Sequence, residues 1–110
     1  MAEAWPEHKV STRISREDMG VARLADPRRK DVPKKQLLES QAMVAQIIQK
    51  MAKLVHSAAQ RAFVTYAHGT DRAVSVEDLE SELNAGLVYG IYRYDPNGKY
   101  DPYNYLNGVI

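Results

Sequence analysis

The feature that most limits how this chain can fold is a stretch of 32 residues, 36–67, that contains neither glycine nor proline. Strong helix formers fill it, which predicts one continuous α-helix. Its apolar residues recur every three or four positions, at 37, 38, 44, 45, 48, 51, 52, 55, 58, 59, 62, 63 and 66. This period indicates an amphipathic helix with one apolar stripe.

The length of this helix bears on how its apolar stripe is covered. At 1.5 Å per residue the helix would be about 48 Å long, whereas a compact domain of 100 residues has a radius of gyration of about 13 Å. One chain of 110 residues has little left to cover such a rod on more than one side. We therefore expect a second chain, identical or different, to complete the core as a homo- or heterodimer.

A second helix is predicted by the sequence SVED at residues 75–78. Ser75 is a suitable N-cap, and Asp78 three residues later matches the acidic member of a capping box. The acidic residues that follow favour the positive end of a helix dipole. We expect a short helix over residues 76–84, with Gly86 beyond its end and Gly69 closing the preceding long helix.

The first 35 residues differ in character, because they hold three of the five prolines and few apolar side chains. This composition predicts an extended arm. Within it, Ser15 as a cap, Asp18 in the first turn and Pro27 just past the end indicate one possible short helix over residues 15–25. The helical core is then expected to span residues 36–86.

The last segment, residues 87–110, contains six of the seven tyrosines and two copies of the sequence YDP. Its Pro-Asn-Gly sequence favours a tight turn, which predicts a hairpin. Tyrosine offers a large contact area with few torsions to freeze, so this tail is expected to pack on a protein partner. Two alternatives are a calcium site at Asp95, Asn97 and Asp101, which lacks the EF-hand spacing, and stacking on single-stranded nucleic acid, which the scarcity of basic residues disfavours.

Overall charge and cysteine content exclude several classes of protein. The formal net charge is +1, although residues 1–35 carry nine Lys/Arg against six Asp/Glu and residues 73–110 carry two against six. The basic part therefore lies at the front. The absence of cysteine excludes a disulfide framework and a thiolate metal site. No run of about 18 apolar residues indicates a membrane span, and no pattern indicates a cleaved signal.

The sequence predicts no enzyme, no cofactor and no metal site. His8, His56 and His68 are far apart in the sequence, and neither a Ser/His/Asp signature nor a glycine-rich phosphate loop is present. His56 and His68 are 12 positions apart, so a metal site made by both would require the predicted helix between them to fold away.

The central part of the chain resembles the histone fold. The sequence FVTYAH at the end of the long helix is followed by a loop containing RAVS and by a helix that begins VEDLESEL. LVYGI is similar to the segment that follows the last helix of a core histone, and VARLADP resembles the short first helix of histone-like transcription subunits. The resemblance covers roughly residues 15–91, most specifically 64–91. It implies an all-α fold in which paired chains bind the DNA backbone.

The chain departs from the histone pattern in its two loops. In the family, an arginine stands seven residues before the aspartate that opens the last helix, and pairs with it. Asp71 occupies that position here, with Arg72 one place later and Ala73 where a threonine is favoured. The first connection, residues 26–35, is also long for the family. The sequence thus supports the fold better than it supports DNA binding.

Candidate site residues follow from these patterns. If DNA is bound, its phosphates would be contacted without sequence specificity by Arg28, Arg29, Lys30, Lys34, Lys35 and Arg72. These charges can also be ordinary solvated residues, since exposed charge runs usually only solubilise a protein. The candidate partner interface comprises Ile48, Met51, Val55, Ala59, Phe63, Leu79, Leu83, Tyr89, Tyr92 and Tyr94.

Two functions are compatible with the sequence. The first is a histone-like protein of a nucleus or nucleoid that dimerises and compacts or organises DNA through sequence-independent backbone contacts. The second is a non-enzymatic structural subunit of a larger assembly, such as a virion or a multiprotein complex, whose arm and tail clasp neighbouring proteins. Neither involves a membrane. We adopt the first as the more directly testable hypothesis.

Overall fold

The computed structural model describes residues 13–67 and 75–110, and this part of the chain is built from helices without a strand. The helices are α1 (Arg16–Ala22), α2 (Lys34–Lys50), α3 (Ala52–Ala67), α4 (Val76–Arg93) and α5 (Pro102–Val109), with a 3-10 turn at Arg23–Ala25 after α1. The predicted all-α class is confirmed. The predicted helix end at Gly69 and the candidate contact Arg72 lie outside the described residues.

Helix α1 forms where its capping signal predicts it. The Ser15 hydroxyl accepts a hydrogen bond from the backbone N–H of Asp18 at 3.0 Å, which satisfies one of the free donors of the first turn. Met19 and Ala22 are fully buried, and α1 packs on α2. The possible short helix within the predicted arm is therefore formed by α1 and its 3-10 turn, which contribute apolar side chains to the core.

The long helix predicted over residues 36–67 is divided in two at Met51. This residue has φ −93° and ψ 0°, and its N–H is shared between the carbonyls of Ile47 and Ile48, both at 3.1 Å. Such a conformation ends regular α-helical geometry. No glycine or proline marks the position, but the Met51 side chain is completely buried. We attribute the break to tertiary packing rather than to local propensity.

Helix α4 begins as predicted and ends much later. The capping box is confirmed: the Ser75 hydroxyl accepts from Asp78 N at 3.0 Å, and Ser75 N donates to the Asp78 carboxylate at 3.3 Å. The helix does not end near Asn84, however. It continues through Gly86 and Gly90 to Arg93. Apolar packing of its second half outweighs the low helix propensity of glycine.

The contact between α4 and α5 explains one of these glycines. A Cβ atom on Gly90 would lie 3.2 Å from Val109 Cγ2 and 3.8 Å from Leu106 Cδ2, so the missing side chain lets α5 approach closely. The Tyr105 hydroxyl donates a hydrogen bond to the Gly90 carbonyl at 3.1 Å across the same contact. Helix α5 is thereby held against the main body of the protein.

The tyrosine-rich segment is a turn followed by a helix, so the hairpin prediction is wrong. Gly98 N donates to the Asp95 carbonyl at 2.9 Å, which forms the turn expected from the Pro-Asn-Gly sequence. The Asp101 side chain then accepts from Asn104 N at 3.2 Å and caps α5. Proline in the first turn of α5 favours a helix over a second strand.

Part of the tyrosine-rich segment belongs to the core of its own chain. Tyr94 is 2% exposed, and its hydroxyl donates to the Tyr100 carbonyl at 2.6 Å. The rings of Tyr94 and Tyr105 meet edge to face with centroids 5.1 Å apart. The Arg16 guanidinium donates to the carbonyls of Pro96 and Gly98 at 3.0 and 2.5 Å, which ties α1 to the turn before α5.

A single core joins the five helices that the structure describes. Its fully buried large side chains include Met19, Ile47, Met51, Leu87, Ile91 and Leu106. Within the same chain, α1 and α4 pack on α2, and α4 also packs on α3. A second chain is therefore not needed to cover this side, and dimerisation stays a prediction that concerns a different surface.

Candidate nucleic-acid interface

The described basic residues predicted to contact DNA lie on the connection between the 3-10 turn and α2 and in the first turn of α2. Arg29 N donates to the Asp26 carbonyl at 3.0 Å, so residues 26–29 form a compact turn. Arg28, Arg29, Lys30, Lys34 and Lys35 are all exposed. Pro33 precedes α2 and provides no side-chain cap. The first backbone N–H groups of α2 therefore have no capping partner, and Lys34 and Lys35 lie in the same turn.

Arg28 is held by an ion pair that the sequence analysis did not identify. Both Asp26 carboxylate oxygens accept hydrogen bonds from the Arg28 guanidinium at 2.8 to 3.1 Å, and one also accepts from Arg28 N at 3.0 Å. The Asp26 side chain is 7% exposed and that of Arg28 is 68% exposed. The bidentate pair fixes the direction of the guanidinium while leaving its outer side open to solvent.

The hydrogen bonds from Arg28 lower the pKa of Asp26 from 3.8 to about 2. A carboxyl group with a lowered pKa contributes to stability above its unfolded pKa, and this contribution is lost as the pH falls towards the folded pKa. We expect Arg28→Gln to raise the pKa of Asp26 back towards 3.8, as measured by NMR titration of its carboxyl carbon. The exposed neighbour Arg29 provides the control: if Arg29→Gln raises the Asp26 pKa as much as Arg28→Gln does, the pairing is incorrect.

Two residues of α4 extend this surface. Tyr89 is 53% exposed, and its hydroxyl accepts a hydrogen bond from Arg93 Nη1 at 2.9 Å. The Arg93 guanidinium also lies 5.0 Å from the centroid of the Tyr89 ring. The pKa of Arg28 is raised first by its hydrogen bonds and charge interaction with Asp26, and further by Tyr89, which lies near it. Helix α4 packs on the 3-10 turn that precedes Arg28, and Arg93 extends this region of α4 through its contact with Tyr89.

Together these residues form a surface with an excess of positive charge. We call it the basic surface; it consists of Arg28, Arg29, Lys30, Lys34, Lys35 and Arg93. Asp26 and Asp31 are the acidic residues of the same connection. Within residues 26–35, five cations against two anions leave a local excess that the formal charge of +1 does not reveal. Such an excess attracts polyanions.

Comparison of the chain with protein-family models, with curated proteins and with solved structures finds no match.

The predicted partner interface is divided between the core and the surface. Met51, Val55, Ala59 and Tyr94 are at most 2% exposed. This corrects the prediction for these four residues, because other parts of the same chain already cover them. Ile48, Phe63, Leu79, Leu83 and Tyr92 are partly buried, whereas Tyr89 is exposed beside the basic surface. For these six residues a partner contact stays a prediction.

Two further features, a metal site and a membrane-spanning helix, are not found among the described residues. Among the residues that the structure describes, no three His, Asp or Glu side chains converge as the ligands of a metal ion would. At the proposed calcium site, Asp95 accepts from the backbone of the turn and Asp101 caps α5. No helix within residues 13–67 and 75–110 is long and apolar enough to cross a bilayer.

Arg93 is the functional candidate that sequence reasoning missed. Its position four residues after Tyr89 places both side chains on the same face of a helix, and this spacing is visible in the sequence. The signal was lost because residues 87–94 were assigned to a tail rather than to α4. The proximity of α4 to the turn at residues 26–29 arises only in the folded chain.

Proposed function

We propose that this chain is a structural nucleic-acid-binding protein that acts as a dimer and organises duplex DNA through sequence-independent contacts with the phosphate backbone. The observation that carries the proposal is the basic surface. In it, Arg93 of α4 adds a sixth cation to the five of residues 26–35. Phosphate contacts of this kind orient a protein on DNA without reading bases. The exposed Tyr89 hydroxyl provides a neutral hydrogen-bonding group at the same place.

A histone-like arrangement of the helices is part of this proposal. The short helix α1 packs on α2 and α4 packs on α3, so two helices flank a central pair that replaces one long helix. The division at Met51 and the 18 residues of α4 are departures from the short-long-short pattern that the sequence resembles. The proposed DNA contact does not depend on these departures, because it uses the connection before α2.

The proposal is tested by titrating a labelled duplex with the full chain across a salt series. Each phosphate that is neutralised contributes about −0.9 to the slope of log K against log salt. We expect Arg29→Gln/Lys30→Gln to make the slope shallower by about 2 and to weaken binding similarly for all duplex sequences. Circular dichroism should show an unchanged fold, since both side chains are exposed.

A matched control separates this surface from a general effect of charge. Arg61→Gln/Lys99→Gln removes the same two charges from exposed positions outside the basic surface. We expect this variant to retain most of the salt dependence of the wild-type chain. Equal losses for both double variants, or no salt-dependent shift of the duplex by the wild-type chain, would refute the proposal.

The second candidate function is a structural subunit of a larger protein assembly. It is supported by large apolar side chains on the outside of the described chain, among which Leu38, Val64 and Tyr100 are 60%, 55% and 62% exposed. Under this alternative the basic surface contacts an acidic protein or only solvent. Duplex DNA is then not shifted at moderate salt, whereas the protein still forms a defined complex with its neighbour.

A further inference from the structure

The outer side of α2 and α3 carries a second regular pattern, opposite the buried one. Exposed residues recur along it at steps of four, three, four, three and four: Leu38, Ala42, Ala45, Gln49, Ala52 and His56. We call this row the outer seam. Each pair of steps of four and three makes a seven-residue repeat, which is the spacing at which two helices remain in contact along their length.

The composition of the outer seam is unusual for a solvent-facing helix side. Surface helices normally carry charged residues opposite their buried stripe. Here, residues 40–49 contain no charged side chain, and the row itself consists of alanines with Leu38, Gln49 and His56. Leu38 is 60% exposed, and among the exposed large apolar side chains of the described residues only Tyr100 has a larger exposed fraction. Alanine at these positions allows another helix to approach closely.

The break at Met51 does not interrupt the outer seam. On the opposite side, Ile47, Met51, Val55 and Ala59 are buried at successive steps of four residues. Met51 N donates to the Ile47 carbonyl, and the Met51 carbonyl accepts from Val55 N at 3.0 Å, so the i to i+4 hydrogen bonding passes through the break. The buried side thus stays on one side of both helices, and the exposed row stays on the other.

We propose that a second copy of this chain packs antiparallel on the outer seam. The two-fold axis passes between Ala45 and Gln49, at the level of residue 47 along the helix. In this register Leu38 faces His56 of the second copy, Ala42 faces Ala52, and Ala45 faces Gln49. A two-fold contact of this kind is self-complementary and closes as a dimer. The inference deepens the dimerisation included in the proposed function, but it is tested without DNA, so that each can fail separately.

Charge complementarity favours a second copy in this orientation. Glu39 and Lys53 are exposed and flank the same side of the row. In the antiparallel register, Glu39 of one copy lies within about 3 Å along the axis from Lys53 of the other. The two-fold axis forms this pair twice. In a parallel arrangement the same charges would be about 21 Å apart along the axis.

The end of the outer seam also fits a second copy. His56 pairs through Nδ1 with Glu80 of α4 and keeps 55% of its side chain exposed. The exposed part of the ring provides an apolar edge for Leu38 of the second copy. Because the row contains only six side chains, we expect a dissociation constant in the micromolar range, typical of small interfaces.

The first test is sedimentation of the full chain from 1 to 200 µM, where we expect a reversible transition from 12.4 kDa to twice that mass. Ala45→Glu places a charge near the axis and is expected to raise the dissociation constant at least 100-fold. Ala85→Glu is the matched control, since Ala85 is an exposed alanine on α4 and should leave the dissociation constant unchanged. A wild-type chain that stays monomeric at 200 µM, or a dimer that Ala45→Glu leaves intact, overturns the proposal.

The second test determines orientation and uses the absence of cysteine from the chain. A mixture of Ala42→Cys and Ala52→Cys chains is expected to form a disulfide-linked heterodimer under mild oxidation, because these residues face each other in the antiparallel register. Either variant alone places its cysteines about 15 Å apart along the axis, beyond the reach of a disulfide. Cross-linking of Ala42→Cys with itself, and not with Ala52→Cys, would show a parallel contact and refute the proposal.

Discussion

Replacing Val55 with aspartate is expected to leave the protein unfolded at 25 °C. Val55 is 2% exposed and lies within the single core that all five helices share. A carboxylate there would lose its hydration without gaining a partner, which costs several kcal/mol. Small domains have only about 5 to 15 kcal/mol of stability in total. Far-ultraviolet circular dichroism and thermal melting would measure the loss of helix and of the cooperative transition.

The matched control for Val55→Asp is the same substitution on the outside of the same helix. Val64 is 55% exposed on α3, and Val64→Asp is expected to change the free energy of unfolding by no more than about 0.5 kcal/mol. This comparison separates burial from helix propensity, because both variants exchange valine for aspartate within α3. A Val55→Asp chain that melts like the wild type would show that the side of α3 that carries Val55 is not part of the core.

The second large effect is expected from Leu106→Ala. Leu106 is fully buried although it belongs to α5, in the segment predicted from sequence to be a tail that packs on a protein partner. Truncating a buried leucine to alanine removes apolar contacts and leaves a cavity, which costs about 2 to 5 kcal/mol. For a domain of this size the melting temperature should fall by more than about 10 °C. Calorimetry of the full chain at low protein concentration measures this change.

A control within α5 distinguishes loss of the core from fraying of a terminal helix. Val109 is 38% exposed, so Val109→Ala is expected to cost less than about 1 kcal/mol. If Leu106→Ala melted at the wild-type temperature and lost only the circular dichroism of a short helix, α5 would be a peripheral attachment. A parallel fall in the whole transition agrees with α5 as part of the core.

The helix starts were predictable because capping is a local interaction. Ser15 with Asp18, and Ser75 with Asp78, satisfy free N–H groups within one turn, and the participating residues are three positions apart. Nothing beyond that turn is needed for the prediction. The all-α class followed for a similar reason, since a repeat of three and four residues reports the local backbone period.

The features that were not predicted depend on contacts between distant residues. The break at Met51 has no local breaker, and α4 continues through Gly90 because α5 approaches at that point. Sequence reasoning ended the helix before Gly86, and it could not know that α5 packs further along α4, where Val109 lies beside Gly90. The tyrosines were assigned to a partner for the same reason: their contact surface was recognised, but the chain that covers it was not.

One part of the candidate site is local in sequence. Arg28, Arg29 and Lys30 form one charged run and are all exposed, and their contact with DNA stays a prediction. The pairing of Arg28 with Asp26 was missed, although a separation of two residues made it possible to propose. Arg93 could not be added from sequence, because folding brings residues about 65 positions apart to the same surface.

The hydrogen bonds from Arg16 to the carbonyls of Pro96 and Gly98 have a consequence for how fast the chain folds. They join residues 80 and 82 positions apart, so α1 docks fully only after the turn before α5 has formed. Each doubling of the loop that must close adds about 0.6 kcal/mol of entropic cost. Simple helical bundles avoid this delay because their contacts are local. We therefore expect folding of this all-α chain to be limited by the meeting of distant segments rather than by the rate at which its helices form.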